Sequence, residues 1–295
     1  MNHEEYPKIF IQSDNLSIES QNSFLSKIRI NGLLGLLSAL TALVSSVEKI
    51  FAYSSILSIL FLTISVWSLV EEKQEKEWYR SRALAESIKS LTWKYMIGGE
   101  PFGIEVNEEI VNNDFIEKCK LLREDHRELF QNLPSSSGLE TITSKMKQIR
   151  NSNFFDRANF YLKERIEPQA RWYSEKAEYN RIRANFWNWV IKTFLIVALI
   201  SAFMKVIQPW DYYPIEICLL VASFAFSWMQ TKKFNELTSA YNLTAHEIAD
   251  VKLKMEERIK QAREEKFDEF IADCENVFSR EHTQWLARRD MLNKS

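Results

Sequence analysis

Two long stretches of this chain carry no charge, and they lie almost end to end. Ile30–Val47 holds 18 uncharged residues, Glu48 and Lys49 interrupt, and Ile50–Val70 supplies another 21. At a helical rise of about 1.5 Å per residue, each run covers roughly the 30 Å of hydrocarbon in a bilayer. The pattern recurs later. Phe186–Met204 is apolar apart from Asn188, Lys192 and small hydroxyl residues, and a polar turn containing Asp211 follows. Ile215–Met229 is then apolar apart from Glu216 and two serines. A buried hairpin in a soluble protein can contain such runs, but two hairpins in one chain favour the membrane. The mean hydropathy of -0.27 hides them, because the apolar residues are concentrated in these two places.

Charge flanking the runs sets their direction. Lys27, Arg29, Lys73, Lys76, Arg80, Arg82, Arg171, Lys176, Arg181, Arg183, Lys232 and Lys233 fall on one side, and only Lys49 and Lys205 on the other. The positive-inside rule then puts both ends of each hairpin, and both chain termini, in the cytoplasm. Trp67, Trp187, Trp189 and Trp228 fall at the inner boundary and Trp210, Tyr212 and Tyr213 at the outer one, where interfacial aromatics collect. Residues before Ile30 are too polar for a cleaved signal peptide.

Glycine and proline number six each in 295 residues, too few for the turns of a β-rich or α/β domain of this size. The expected fold is all-α: an integral membrane protein with two transmembrane helical hairpins extended into long cytoplasmic helices. A first two-span unit is expected over 1–167, with spans at about 30–47 and 50–70 and cytoplasmic helices over 71–97, 107–133 and 139–166. Ser137 with Glu140 has capping-box spacing for the last of these. A second unit is expected over 168–295, with spans at about 186–204 and 215–229 and cytoplasmic helices over 169–185 and 230–293, the boundary falling near Pro168. The order helix, span, span, helix thus occurs twice, an internal repeat of architecture.

Outside the spans the residues themselves become informative. After the first hairpin comes Glu77–Lys89, EWYRSRALAESIK, then Thr92-Trp93 and Glu100-Pro101-Phe102. Gln169, Trp172-Tyr173-Ser174 and Lys176-Ala177 precede the second hairpin, and Ala240-Tyr241, Glu247-Ile248, Ser279–Thr283 and Trp285 follow it. The chain resembles, from about Tyr6 to Arg289, a tandem of two SLATT domains. These are two-transmembrane effector domains found beside bacterial second-messenger oligonucleotide synthetases (SMODS) and SLOG nucleotide sensors. The resemblance implies an oligomeric effector of a bacterial conflict or anti-phage system. It would form a pore, or otherwise perturb the inner membrane, when a nucleotide second messenger or a cytoplasmic sensor protein signals to it. No synthetase or sensor motif occurs in the sequence, so the trigger is expected from elsewhere.

Polar and small residues in the spans fall in stripes. Asn31, Gly35, Ser38, Ala42 and Ser45 recur at helical spacing on the first span, and Ser54, Ser58, Ser65 and Ser68 share one face of the second. Glu216, Ser223, Ser227 and Gln230 do so on the fourth. Such stripes suit either a water-filled path between subunits or close helix packing in lipid. Glu216 suits either cation selection at a pore mouth or a headgroup position near Lys205. Lys192, near the inner end of its span, can snorkel to the interface.

On the cytoplasmic side, Arg82, Glu86 and Lys89 stand at i, i+4 and i+7 on one helix face. With Trp78 and Trp93 they suit a signal or partner surface, since Arg, Lys and aromatics recognise phosphates and bases. They also suit, and rather better, a polar cluster that locks this helix to its neighbours.

Other functions find little support. Charge is nearly balanced, 38 Lys+Arg against 40 Asp+Glu, without the basic field of a nucleic-acid binder. There is no Walker loop and no GxGxxG. The four histidines (His3, His126, His246, His282) and three cysteines (Cys119, Cys218, Cys274) lack metal-ligand or nucleophile spacing. Neither catalysis nor a cofactor is expected. The expected partners are the lipid bilayer, further copies of the chain, and the signal.

Overall fold

The computed structural model describes residues 1–44, 49–70, 73–131, 141–208 and 214–278, and these contain no strand. Helix α1 runs Lys8–Val44, α2 Lys49–Val70 and α3 Lys73–Ile97. Three shorter helices follow: α4 (Glu108–Asp125), α5 (Ser144–Arg150) and α6 (Phe154–Tyr161). Then come α7 (Glu167–Ile207), α8 (Ile215–Lys232) and α9 (Phe234–Lys260), and the chain is helical again over 267–278 (α10). Ser45, the Ser137/Glu140 cap, Trp210, Tyr212, Tyr213, Ser279–Thr283 and Trp285 lie outside the described residues, as do the side chains of Ser65, Trp67 and Ser68.

Local chemistry explains the helix ends. Asn107 caps α4 by accepting the Glu109 amide at 2.8 Å, and Asn153 caps α6 by accepting the Asp156 amide at 3.0 Å. Thr143 caps α5 while donating its hydroxyl to the Glu5 carbonyl at 2.9 Å. The segments expected as single helices over 107–133 and 139–166 are therefore subdivided. A 3-10 turn at Arg127–Gln131 follows α4, and Asn151–Asn153 separates α5 from α6.

The stretch after Pro214 holds no glycine or proline, yet its helix breaks twice. Lys233 takes a left-handed conformation between α8 and α9, and Ala262 and Lys266 do so between α9 and α10. At the second break the Arg263 amide bonds the Arg258 carbonyl and the Ala262 amide bonds that of Ile259, the paired closure of a Schellman cap. Arg258 holds the turn by donating to the Glu265 carbonyl at 2.9 Å and lying over the Phe270 ring.

Pro168 does the opposite of what its presence suggests. It lies one residue inside α7, and helix continues from Phe154 to Ile207 through it. Proline has no amide to give the carbonyl four residues back, and its ring crowds that carbonyl. The turn just upstream, Leu162–Ile166, is widened to π geometry, with the Glu167 amide bonding the Leu162 carbonyl.

The contacts divide the chain into two compact units that interleave in sequence. One, the polar unit, comprises Met1–Gln21, Glu75–Glu175 and Ala240–Ser295; the other, the apolar unit, comprises Asn22–Gln74 and Lys176–Ser239. The polar unit has an ordinary core, with Leu84, Ile88, Trp93, Met96, Phe115, Met146, Ile166, Ile248 and Ile271 buried. Arg150 reaches into it and donates to the carbonyls of Tyr95, Phe102 and Gly103, each at 2.8 Å, tying the loop after α3 to α5. Gly98 ends α3 at φ +86°, which only glycine adopts freely.

The apolar unit is built the other way round. Its buried positions are small: Ser38, Ser58, Ala184, Ala198, Cys218, Ala222 and Ala225. Its exposed positions are large and apolar, among them Leu33, Leu37, Ile56, Leu60, Phe61, Ile64, Ile196, Ile200, Phe203 and Phe226. A Cβ on Gly32 would meet the Phe224 ring, so α1 and α8 approach closely there. Among the described residues, large side chains pack inward near one end, where Leu25, Trp228, Met229 and Phe234 cluster. Among the described residues one helical stretch, Phe154–Ile207, is long and apolar enough to cross a membrane.

Candidate functional site

The conspicuous chemistry of the polar unit centres on α3. Leu84, Ala85 and Ile88 turn into the core, which leaves Arg82, Glu86 and Lys89 half-buried at its edge. The Glu86 carboxylate sits between two cations, 2.9 Å from Arg82 and 3.7 Å from Lys89. Asp14 on α1 adds a second carboxylate, 3.4 Å from Arg82 and 3.2 Å from His3. Nearby, Ser20 donates to Glu77 at 2.9 Å, so α1 and α3 are joined by polar contacts along their shared length. Burial lowers the Lys89 pKa from 10.5, although Glu86 supports its charge.

One turn further on, Trp93 is fully buried, and its indole donates to the Tyr6 hydroxyl at 3.0 Å. Arg165, from the widened π turn, lies 5.9 Å from the Trp93 ring centre and 4.8 Å from that of Phe278. Its charge is met by Glu275 on α10, with bonds of 3.0 and 2.8 Å, and Tyr161 donates to the same carboxylate at 2.7 Å. Arg165 is 3% exposed and Glu275 0%. Burial opposes the Arg165 charge, but Glu275 more than offsets it and the guanidinium pKa rises. Nη1 of Arg165 is buried without a hydrogen-bond partner.

Of the expected cytoplasmic face, Arg82, Glu86 and Lys89 are therefore brought together and pair with one another. Trp93 belongs to the core, and Trp78 stacks on Tyr79 at 4.6 Å. Tyr6, Asp14, Tyr161, Arg165 and Glu275 escaped the reading of the sequence, although two of them carry a signal. Arg165 falls in the buried series Ala158, Tyr161, Leu162, Arg165, Ile166, and Glu275 in Ile271, Cys274, Glu275, Phe278. A charge at a core register position needs a buried partner.

The polar residues of the four apolar segments separate into two groups. Ser38 and Ser58 are buried within the apolar unit and donate to their own helix, to the Leu34 carbonyl at 2.8 Å and that of Ser54 at 2.6 Å. Ser223 and Ser227 are exposed, as are Glu216 in the first turn of α8 and Lys192 on α7. Around Gly35 an added Cβ would meet nothing within 4 Å. Both amide atoms of Asn31 are buried without partners. Among the described residues His, Cys, Asp and Glu form no group of three able to hold a metal ion.

Sequence-family models decide the affiliation. The model described as SMODS and SLOG-associating 2TM effector domain 3 matches residues 7–158, and that of effector domain 1 matches 161–285. The chain belongs to the SLATT family. It carries two SLATT domains in tandem, and SLATT domains are membrane effector domains of two transmembrane helices, associated with conflict systems. No curated protein matches the chain, and neither does a solved structure.

The buried network has a pH signature. Burial raises the Tyr6 pKa from 10.0 to about 12 and holds that of Tyr161 well above 10.0. Protonated tyrosine is the form the fold favours, so its stabilisation is complete below pH 10 and lost as pH rises towards 12. For Tyr6 this amounts to about 3 kcal/mol at roughly 1.4 kcal/mol per pKa unit. Lys89 works with the opposite sign, adding stability as pH rises from its lowered pKa to 10.5. Unfolding midpoints followed from pH 9 to 12 should fall for the native SLATT protein and fall less for Tyr6→Phe; equal slopes would contradict the burial of Tyr6.

Proposed function

We propose that the four apolar segments span the bacterial inner membrane as two hairpins, one from each SLATT domain, with the domains meeting at residues 158–161 rather than at Pro168. Both termini and the polar unit are cytoplasmic, and copies of the chain self-associate. On a nucleotide-type or partner signal the assembly opens a pore or otherwise permeabilises the membrane, as an effector of a conflict or anti-phage system. It acts as an effector, not as an enzyme. The observation that carries this reading is the apolar unit's inverted packing, with small residues inside and large apolar side chains outside. In water such a surface aggregates; in hydrocarbon it costs nothing, and small residues at helix contacts supply the cohesion.

Helices α1 and α7 have residues in both units, so a signal that reshapes the polar unit can reach the spans through continuous backbone. Exposed Glu216, Ser223 and Ser227 on α8 are the candidates for a polar path in the assembly; buried Ser38 and Ser58, already bonded to their own helix, serve packing.

The alternative is a non-conducting membrane scaffold or signal receptor. What favours it is that the larger unit is the polar one, held by the Arg82–Glu86–Lys89 and Arg165–Glu275 pairs. Ion flux from liposomes containing the full chain separates the two. Efflux above empty liposomes, lowered by Glu216→Gln in its cation preference, is the effector result. Sealed liposomes under conditions where the same chain arrests cell growth would favour the scaffold.

A further inference from the structure

Cations in the apolar unit gather at particular aromatic rings. Arg29 on α1 and Lys232 at the end of α8 are far apart in sequence, yet both stand over one indole. Arg29 Cζ lies 5.3 Å and Lys232 Nζ 5.8 Å from the centre of the Trp228 ring. Arg29 is exposed, Lys232 half-buried and Trp228 buried. On α7, Lys176 and Arg183 flank Tyr179 in the same manner, at 5.6 and 5.3 Å. Burial lowers the Lys232 pKa, and the charges of Arg29 and Lys176 lower it further, so three cations share one neighbourhood. On α7, Glu178, beside Tyr179, is already engaged by Arg181 through bonds of 2.8 and 2.6 Å. Among the described residues neither Arg29 nor Lys232 takes part in an ion pair.

A ring face tolerates two cations but does not neutralise them. An anion placed between guanidinium and ammonium would do so, with charge-assisted bonds from both. What lies beside the site says which anion. Ile30, next to Arg29 on α1, is large, apolar and exposed. A molecule with a phosphate at one end and hydrocarbon at the other uses both features, whereas a soluble phosphate uses only the first.

We infer that Arg29, Lys232 and the face of Trp228 form a binding site for the headgroup phosphate of an anionic phospholipid, whose acyl chains lie along the apolar surface that begins at Ile30. The inference rests on the membrane reading above. The lipid fixes the middle of α1 to the end of α8 and makes the protein sensitive to the anionic lipid content of its membrane.

Tryptophan quenching by brominated lipid tests it. The full chain is placed in phosphatidylcholine nanodiscs doped with brominated phosphatidylglycerol or, in parallel, brominated phosphatidylcholine. The quenching that disappears in Trp228→Phe reports this site. Each positive charge at an anionic surface gives about a fivefold preference, so the Trp228 component should favour phosphatidylglycerol by at least that factor. Arg29→Gln with Lys232→Gln should abolish the preference, and the charge-keeping pair Arg29→Lys with Lys232→Arg should retain it. Equal quenching by the two lipids in the native chain, or a preference that survives the glutamine pair, overturns the site while leaving insertion intact. Loss of the preference on adding inorganic phosphate assigns the site to a soluble ligand and overturns the lipid. Quenching by neither lipid removes the membrane reading and the site with it.

Discussion

Replacing Glu275 by leucine should destabilise the polar unit by about 3–5 kcal/mol, the cost of leaving one partner of a buried ion pair alone. Arg165 would keep its charge in a site where it is 3% exposed, with Trp93 and Phe278 rings beside it and, among the described residues, no other carboxylate bonded to it. Tyr161 would lose its acceptor as well. Removing both charges, with Arg165→Met and Glu275→Leu together, should recover most of the loss, because a well-packed apolar pair often equals a buried salt bridge. Urea unfolding followed by tryptophan fluorescence in mild detergent measures both. A single variant within 1 kcal/mol of the native chain would mean that the pair is not buried in solution.

A second large effect separates lipid from water as the solvent of the apolar unit. Ile196 on α7 is 56% exposed and Leu253 on α9 is 64% exposed. By exposure alone, arginine at either position should matter little, within about 0.5 kcal/mol. If the surface of α7 faces hydrocarbon, Ile196→Arg instead costs about 3 kcal/mol of insertion near the middle of a span. That is more than a hundredfold in the insertion equilibrium. Leu253→Arg should leave membrane association unchanged. The fraction resisting alkaline extraction should therefore drop sharply for the first and not for the second. Equal behaviour of the two variants would place both side chains in the same solvent.

These contrasts also explain what was readable from the residues. The apolar runs are a local property: absence of charge over a span's length needs no partner elsewhere to be recognised. The expected helix start at Gln169 has no counterpart in the backbone, where helix continues from Phe154 through Pro168 to Ile207. The helix breaks were hidden because residues that do not normally favour left-handed backbone, Lys233, Ala262 and Lys266, make them. At Ala262, carbonyl caps and Arg258 supply the compensation. In the same way Pro168 signals an interruption that the π turn absorbs.

The polar network was legible only on α3, where Arg82, Glu86 and Lys89 are helical neighbours. Arg165 and Glu275 meet across 110 positions. Helical periodicity marks each as misplaced in an apolar stripe, but nothing local joins one to the other. Trp93, one turn after a charged face, suits a partner surface or a locking cluster by its place in the sequence; it lies in the core with Ile88.

The most direct test of the membrane account is thiol accessibility in native membranes. Cys119 and Cys274 give little background: both are buried, and burial pushes the Cys119 thiol up to about 12 and raises that of Cys274. Cysteine at Leu60, Ile196 or Phe226, all exposed on the apolar unit, should resist a water-soluble maleimide until detergent is added. Cysteine at Lys8 or Leu253 should react in opened vesicles and be protected in intact cells. Rapid labelling of the first three positions without detergent would contradict the account, since it would put water where hydrocarbon is required.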